Sequence, residues 1–141
     1  MSAFQPTIFV NLPVASLDKA LRFYEALGMV QNQIFSSADT ACMALSPAIS
    51  LMLMEPSRFQ TFLPASKTPV TGKESQEGVF CITVEKREDV DRVLKKCEEA
   101  GGKLDPTTLP EMPGGYGRSV EDVDGHLWEV AWMGGMGEQC S

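Results

Sequence analysis

The chain has 141 residues, 43% of them hydrophobic and 22% charged, and a formal net charge of −7. That is enough apolar material for a real core, and the acidic balance argues against nucleic acid, since phosphate binding needs a clustered basic surface. No run approaches the roughly 18 apolar residues of a membrane span, and the opening Met1, Ser2, Ala3, Phe4, Gln5, Pro6 has neither the basic start nor the apolar stretch of a signal peptide.

Residues 7–11 read as a strand. Over 17–27, Leu17, Ala20, Leu21, Tyr24 and Leu27 share one face of an amphipathic helix. Ser16 suits its N-cap, and Gly28 suits a left-handed C-cap. Strand-like runs follow at 29–35, 40–45 and 49–54. Residues 56–77 form a long connection, first a short apolar piece with Phe59, Phe62 and Leu63, then a polar run with Pro and Gly. Such a segment is either a mobile linker or a cover over a site.

The pattern then recurs. Residues 79–84 read as a strand and 88–100 as a helix that buries Val90, Val93, Leu94 and Cys97, with Gly101 and Gly102 ending it. Further strand-like runs fall at 103–105, 115–121 and 126–132. Val84 repeats the place of Val14, and Gly101 that of Gly28. The spacing predicts one α+β domain of two βαβββ modules, about 7–55 and 78–133, with a linker at about 56–77 and a flexible tail at 134–141. The strands are expected to form a curved mixed sheet with a concave cavity, into which alternate residues point. Phe9 and Asn11 would face it from the first strand, Ser50, Met52 and Met54 from the fourth, and Val79, Cys81 and Thr83 from the fifth. Leu127, Glu129 and Ala131 would face it from the last. Residues 106–115, with Met112 just before Tyr116, are a candidate rim.

Glu129 is the telling residue. A carboxylate amid an apolar strand is costly in a dry core unless it is paired, protonated or metal-bound. Asp124-Gly125 marks a hairpin turn before it, because Gly accepts the positive φ that tight turns need. A structural reading stays open, in which Glu129 pairs with Arg118 across that hairpin and no ligand binds. Cys42, Cys81, Cys97 and Cys140 form no Cys-x-x-Cys pair, so neither zinc nor a thioredoxin motif is suggested. They are read as reduced thiols of a cytosolic protein.

Two stretches resemble the vicinal oxygen chelate superfamily, which includes glyoxalase I, extradiol dioxygenases, fosfomycin-resistance proteins and bleomycin-resistance proteins. Residues 122–130 follow its last hairpin, Asp-Pro-Asp-Gly-(His/Asn/Tyr)-x-x-Glu-(Leu/Val), with Val123 in place of Pro. Asn11, Leu12, Pro13 and Val14, followed by residues 17–28, match its N-terminal half. Metal-dependent members hold a divalent ion through side chains of the first, fourth, fifth and eighth strands. The resemblance places those positions on Phe9, on Met52 (or Met54), on Val79 and on Glu129. Phe and Val coordinate nothing, and a thioether is a poor ligand for a hard cation. His126 has the opposite parity to Glu129 and is read as bonding to the turn or to the neighbouring strand. The expectation is therefore no metal and no other cofactor.

Two functions follow. One is a metal-independent lyase- or isomerase-type enzyme, with Glu129 as general acid or base in a largely apolar cup, where burial would favour its neutral form. The other is a non-catalytic protein that sequesters a small hydrophobic molecule, as bleomycin-resistance proteins do. Phe9, Asn11, Met52, Val79, Cys81, Tyr116 and Arg118 are the candidate ligand-binding residues in either case. The resemblance also implies a homodimer, with no nucleic acid and no membrane as partner.

Overall fold

A computed structural model of the chain describes residues 3–70 and 74–135. Residues 136–141, with most of the expected flexible tail and Cys140, lie outside the described residues, as do 71–73 of the expected linker. The chain divides into two compact units, Met1–Pro69 and Val70–Ser141. Each has the expected β-α-β-β-β order, so the class is α+β.

In the first unit, β1 (Ile8–Pro13) leads into α1 (Leu17–Ala26), then β2 (Val30–Gln31), β3 (Thr40–Ser46) and β4 (Ile49–Met54). The sheet order is β1-β4-β3-β2, with β1 parallel to β4 and the rest antiparallel. Ser16 caps α1 by accepting a bond from Lys19 N at 3.3 Å, and Gly28 at φ 106° ends it. One face of the strands packs on the helix, although Cys42 and Met54 of the other face are buried too. Leu12, Ala41, Met43, Leu51 and Leu53 are buried with Ala20, Phe23 and Tyr24 of the helix. Burying a side chain of that size contributes about 1.5–3 kcal/mol.

One expected strand is mostly something else. The run at 29–35 gives β2 over two residues and then a 3-10 turn, Gln33–Phe35. The Asn32 carboxamide accepts from Ile34 N at 3.0 Å, and the Ser36 hydroxyl donates to Asn32 O at 2.7 Å. Short polar side chains that satisfy nearby backbone groups compete with a sheet ladder, and here they win. The apolar piece after β4 becomes a short helix, α2 (Pro56–Gln60), opened by proline at its first turn.

The second unit repeats the plan with β5 (Val79–Thr83), α3 (Arg87–Glu99), β6 (Lys103–Leu104), β7 (Tyr116–Glu121) and β8 (Leu127–Trp132), in sheet order β5-β8-β7-β6. Val90, Leu94 and Cys97 of α3 are buried, as are Ile82, Val120, Trp128 and Val130 of one sheet face. Burial pushes the Cys97 thiol up to about 12. Among the described residues, no helix is long and apolar enough to cross a membrane.

The β7–β8 turn differs from the sequence expectation in one respect. Asp122, 4% exposed, accepts from Asp124 N at 2.9 Å and from His126 N at 2.8 Å, with Gly125 at φ 91°. The connection therefore spans residues 122–126, and Glu121 pairs with Leu127. A two-residue turn at Asp124-Gly125 would set Val120 opposite Glu129. The observed turn sets Ser119 there, a one-residue change that reverses the face of every β7 side chain.

Candidate functional site

The face of the second sheet away from α3 carries Leu127, Glu129 and Ala131 from β8. Val79, Cys81 and Thr83 of β5 and Gly117 and Ser119 of β7 stand opposite them. Trp128 and Val130 take the other parity and the α3 side, where bulky apolar groups gain most from burial. Glu129 is thus a half-buried carboxylate between Cys81 and Ser119. Val79 beside it is 53% exposed.

The neighbours of Glu129 have different roles. Burial, and then the charge of the Glu129 carboxylate and a hydrogen bond to it, raise the Cys81 thiol above its ordinary value. That thiol lies opposite the carboxylate in the β5–β8 register, and its Sγ donates to Ile82 O at 3.8 Å. Ser119 is fully buried and turned to another partner, its hydroxyl donating to Thr107 O at 2.8 Å. The arrangement is a half-buried carboxylate with a thiol on one side and open apolar surface beyond, and a carboxylate is a group that can accept or return a proton.

Arg118 and Tyr116 are not part of it. The register pairs Arg118 with Val130 and Tyr116 with Trp132, which puts both on the α3 side of the sheet. The Arg118 guanidinium donates to both Asp105 oxygens, at 3.1 and 2.6 Å, and to Asp91 at 2.9 Å. Tyr116 also donates to Asp91, at 2.7 Å, while the Arg87 guanidinium lies 4.2 Å from the centre of its ring. That hydrogen bond and the Arg118 contact hold the Asp91 carboxyl below its ordinary value. The expected place of Arg118 and Tyr116 at the cavity or its rim is corrected, and so is the Arg118–Glu129 ion pair. The cause is the turn length described above.

In the first unit, Phe9, Asn11, Ser50 and Met52 share the face opposite Leu51 and Leu53. Asn11 stands against Met52 as Cys81 stands against Glu129. Phe9 is 48% exposed, and the Phe35 ring meets it edge-on at 6.1 Å between centroids. The contact rests on the 3-10 turn, which alternation alone does not reveal.

The residues do not fit a divalent metal centre. Phe9 and Met52 in the first unit and Val79 in the second carry no hard donor, so Glu129 is the one ligand-type side chain at those four positions. Among the described residues, no three His, Cys, Asp or Glu side chains are grouped to hold an ion. His126 is buried, with Nδ1 2.6 Å from a Glu77 carboxylate oxygen, while its backbone N–H donates to Asp122 in the turn.

The family model for the Glyoxalase/Bleomycin resistance protein/Dioxygenase superfamily matches residues 8–130. Comparison with curated proteins gives no match. Among solved structures, a hypothetical protein of S. aureus is 28% identical, with 93% of this chain and 95% of that one covered and a TM-score of 0.71. A lactoylglutathione lyase from Agrobacterium tumefaciens is 20% identical, with 92% and 95% covered and a TM-score of 0.63. TnmS3, an antibiotic-binding protein from Streptomyces sp. CB03234, is also 20% identical, with 94% and 98% covered and a TM-score of 0.62. The latter two likenesses are of fold.

Proposed function

This chain belongs to the glyoxalase/bleomycin resistance protein/dioxygenase superfamily, and we propose that it takes a small hydrophobic molecule on the open face of its second sheet, with Glu129 as the proton-transferring group and no metal. The observation that carries this reading is the half-buried carboxylate on an exposed apolar face, with the Cys81 thiol rather than a cation at its side. A structural ion pair would have supplied that cation. The only balanced chemistry such a site requires is removal of a proton from an acidic C–H or O–H of the ligand and its return to the same molecule, as in an isomerisation or epimerisation.

A second reading is sequestration without turnover. It is favoured by the first unit, whose corresponding face carries Phe9 and Met52 and no carboxylate in the place of Glu129, as a surface for binding alone would. The screen that separates the two incubates wild type and Glu129→Gln with a panel of small hydrophobic carbonyl and hydroxyl compounds, and reads binding by thermal shift and conversion by chromatography. Conversion lost in Glu129→Gln supports the enzyme. Binding without conversion supports sequestration. A Glu129→Gln variant that loses stability while ligand binding stays intact removes the site assignment.

A homodimer in a reducing cytosol completes the reading. Ile8, 56% exposed, and Val79 are edge-strand apolar residues that suit burial against a second copy. Light scattering that gives a stable monomer at micromolar concentration contradicts the dimer.

A further inference from the structure

The face that carries Glu129 is not open along its whole length. Ser119 and Ala131 lie on it, yet they are 0% and 1% exposed, against 53% for Val79. The cover is the connection between β6 and β7. It begins pinned to Ser119, with Asp105 N donating to Ser119 O at 2.9 Å and Thr107 N to the Ser119 hydroxyl at 3.4 Å. It ends in a tight turn, where Gly115 N donates to Met112 O at 2.8 Å and Gly114 takes φ 80°. Between those ties the Met112 side chain is laid on the sheet. Its terminal methyl lies 2.7 Å from where a Cβ would stand on Gly117. The methyl occupies the space that an ordinary strand side chain would fill.

Gly117 pairs with Ala131, one same-face step from the Ser119–Glu129 pair. Such a step is about 7 Å along a strand. We propose that Met112 is a specificity-determining residue, a displaceable wall that stops a ligand held at Glu129 from extending along β8 toward Trp132. It limits the site to compact apolar molecules that carry one proton-donating group. A thioether chain adapts its shape to what it meets, and Gly117 is the residue that lets it reach the sheet. The inference rests on the ligand-binding reading of the Glu129 face.

The probes are phenol and its 4-ethyl, 4-butyl and 4-hexyl derivatives, titrated calorimetrically into wild type, Glu129→Gln, Met112→Ala and Met112→Phe. Thermal melts confirm that each variant is folded. In wild type, affinity is expected to rise with chain length and then break off, and Glu129→Gln weakens the whole series. Met112→Ala moves the break to a longer chain, with roughly fivefold or more gained for 4-hexylphenol and little change for phenol, about what one or two buried methylenes contribute. Met112→Phe moves the break to a shorter chain. No binding to wild type, or binding untouched by Glu129→Gln, overturns the site and this inference with it. Binding that depends on Glu129 but has the same length profile in all Met112 variants overturns the wall alone.

Discussion

The two units share one plan and differ at the matching position of the last strand. Met52 of β4 stands where Glu129 of β8 stands, and Asn11 stands where Cys81 does. The turns before those strands differ too. In the first unit Ser46 reaches Ala48 N at 3.3 Å, whereas in the second a buried Asp122 holds two backbone N–H groups. A fold repeated within one chain can thus keep its sheet order and still place a carboxylate in one copy and a thioether in the other. The strand position decides which face a residue takes, and the residue type decides whether chemistry happens there.

The sharpest way to break the comparison is at the turns. Asp122→Ala leaves two N–H groups unsatisfied in a buried turn and is expected to destabilise the protein by about 2–3 kcal/mol. Ser46→Ala is expected to cost less than about 0.5 kcal/mol. Chemical denaturation of the two variants checks the ratio, and equal losses would mean that the turns carry equal weight.

Exchanging the two matching residues comes next. Met52→Glu puts a carboxylate on a half-buried face and is expected to cost about 1–2 kcal/mol. Glu129→Met is expected to add about 1 kcal/mol of stability while ending any turnover or any binding that needs the carboxylate. Thermal melts with the ligand screen read both effects, and a destabilised Glu129→Met protein would point to a structural Glu129.

Much of this was legible in the sequence. The repeat, the helix caps at Ser16 and Gly28, and the parity of Trp128 and Val130 against Glu129 follow from period and residue type, which act locally. The faces of Arg118 and Tyr116 did not, because they depend on how many residues the 122–126 turn uses. That number is set by the Asp122 carboxylate, whose bonds to Asp124 N and His126 N are local, but residue type alone does not say which of several turn lengths such an Asp will hold. Phe35 on Phe9 and Met112 on Gly117 were hidden for a related reason. Both side chains come from connections, whose course is fixed by single hydrogen bonds such as Asn32 to Ile34 and Ser119 to Thr107.

Smaller effects sharpen the contrast between the two sides of the second sheet. On the α3 side, Arg118→Ala removes contacts to Asp105 and Asp91 that are well exposed to water, so the expected loss is about 1 kcal/mol or less, and smaller still in high salt. The Tyr116–Asp91 bond also sets a direction with pH. It lowers the Asp91 carboxyl, so its stabilisation is present above the ordinary carboxylate value and is lost as pH falls through the lowered one. It raises the Tyr116 phenol, so the same bond is lost at the alkaline end as pH rises through the raised value. Stability measured against pH in wild type and Tyr116→Phe checks both ends, and parallel curves would refute the assignment.

The finest test is on the open side. Cys81 faces a carboxylate, so N-ethylmaleimide is expected to alkylate it slowly, and Glu129→Gln to speed the reaction by roughly threefold or more. A cysteine introduced by Asn11→Cys, which faces Met52 instead, is expected to react faster than Cys81. Peptide mapping by mass spectrometry resolves each site. Equal rates at 11 and 81 would show that the carboxylate does not reach the thiol.

The parallel pairings at the sheet edges have a consequence for how the chain comes into being. Ile8 leaves the ribosome well before its partner Ile49, and Val79 well before Leu127. In each unit the three later strands form an antiparallel meander from near neighbours, while the first strand waits for the last before it can dock. During synthesis, therefore, the apolar strand made first is the one held longest without a partner. Such a strand is exposed to pairing with other chains until the end of its own unit emerges.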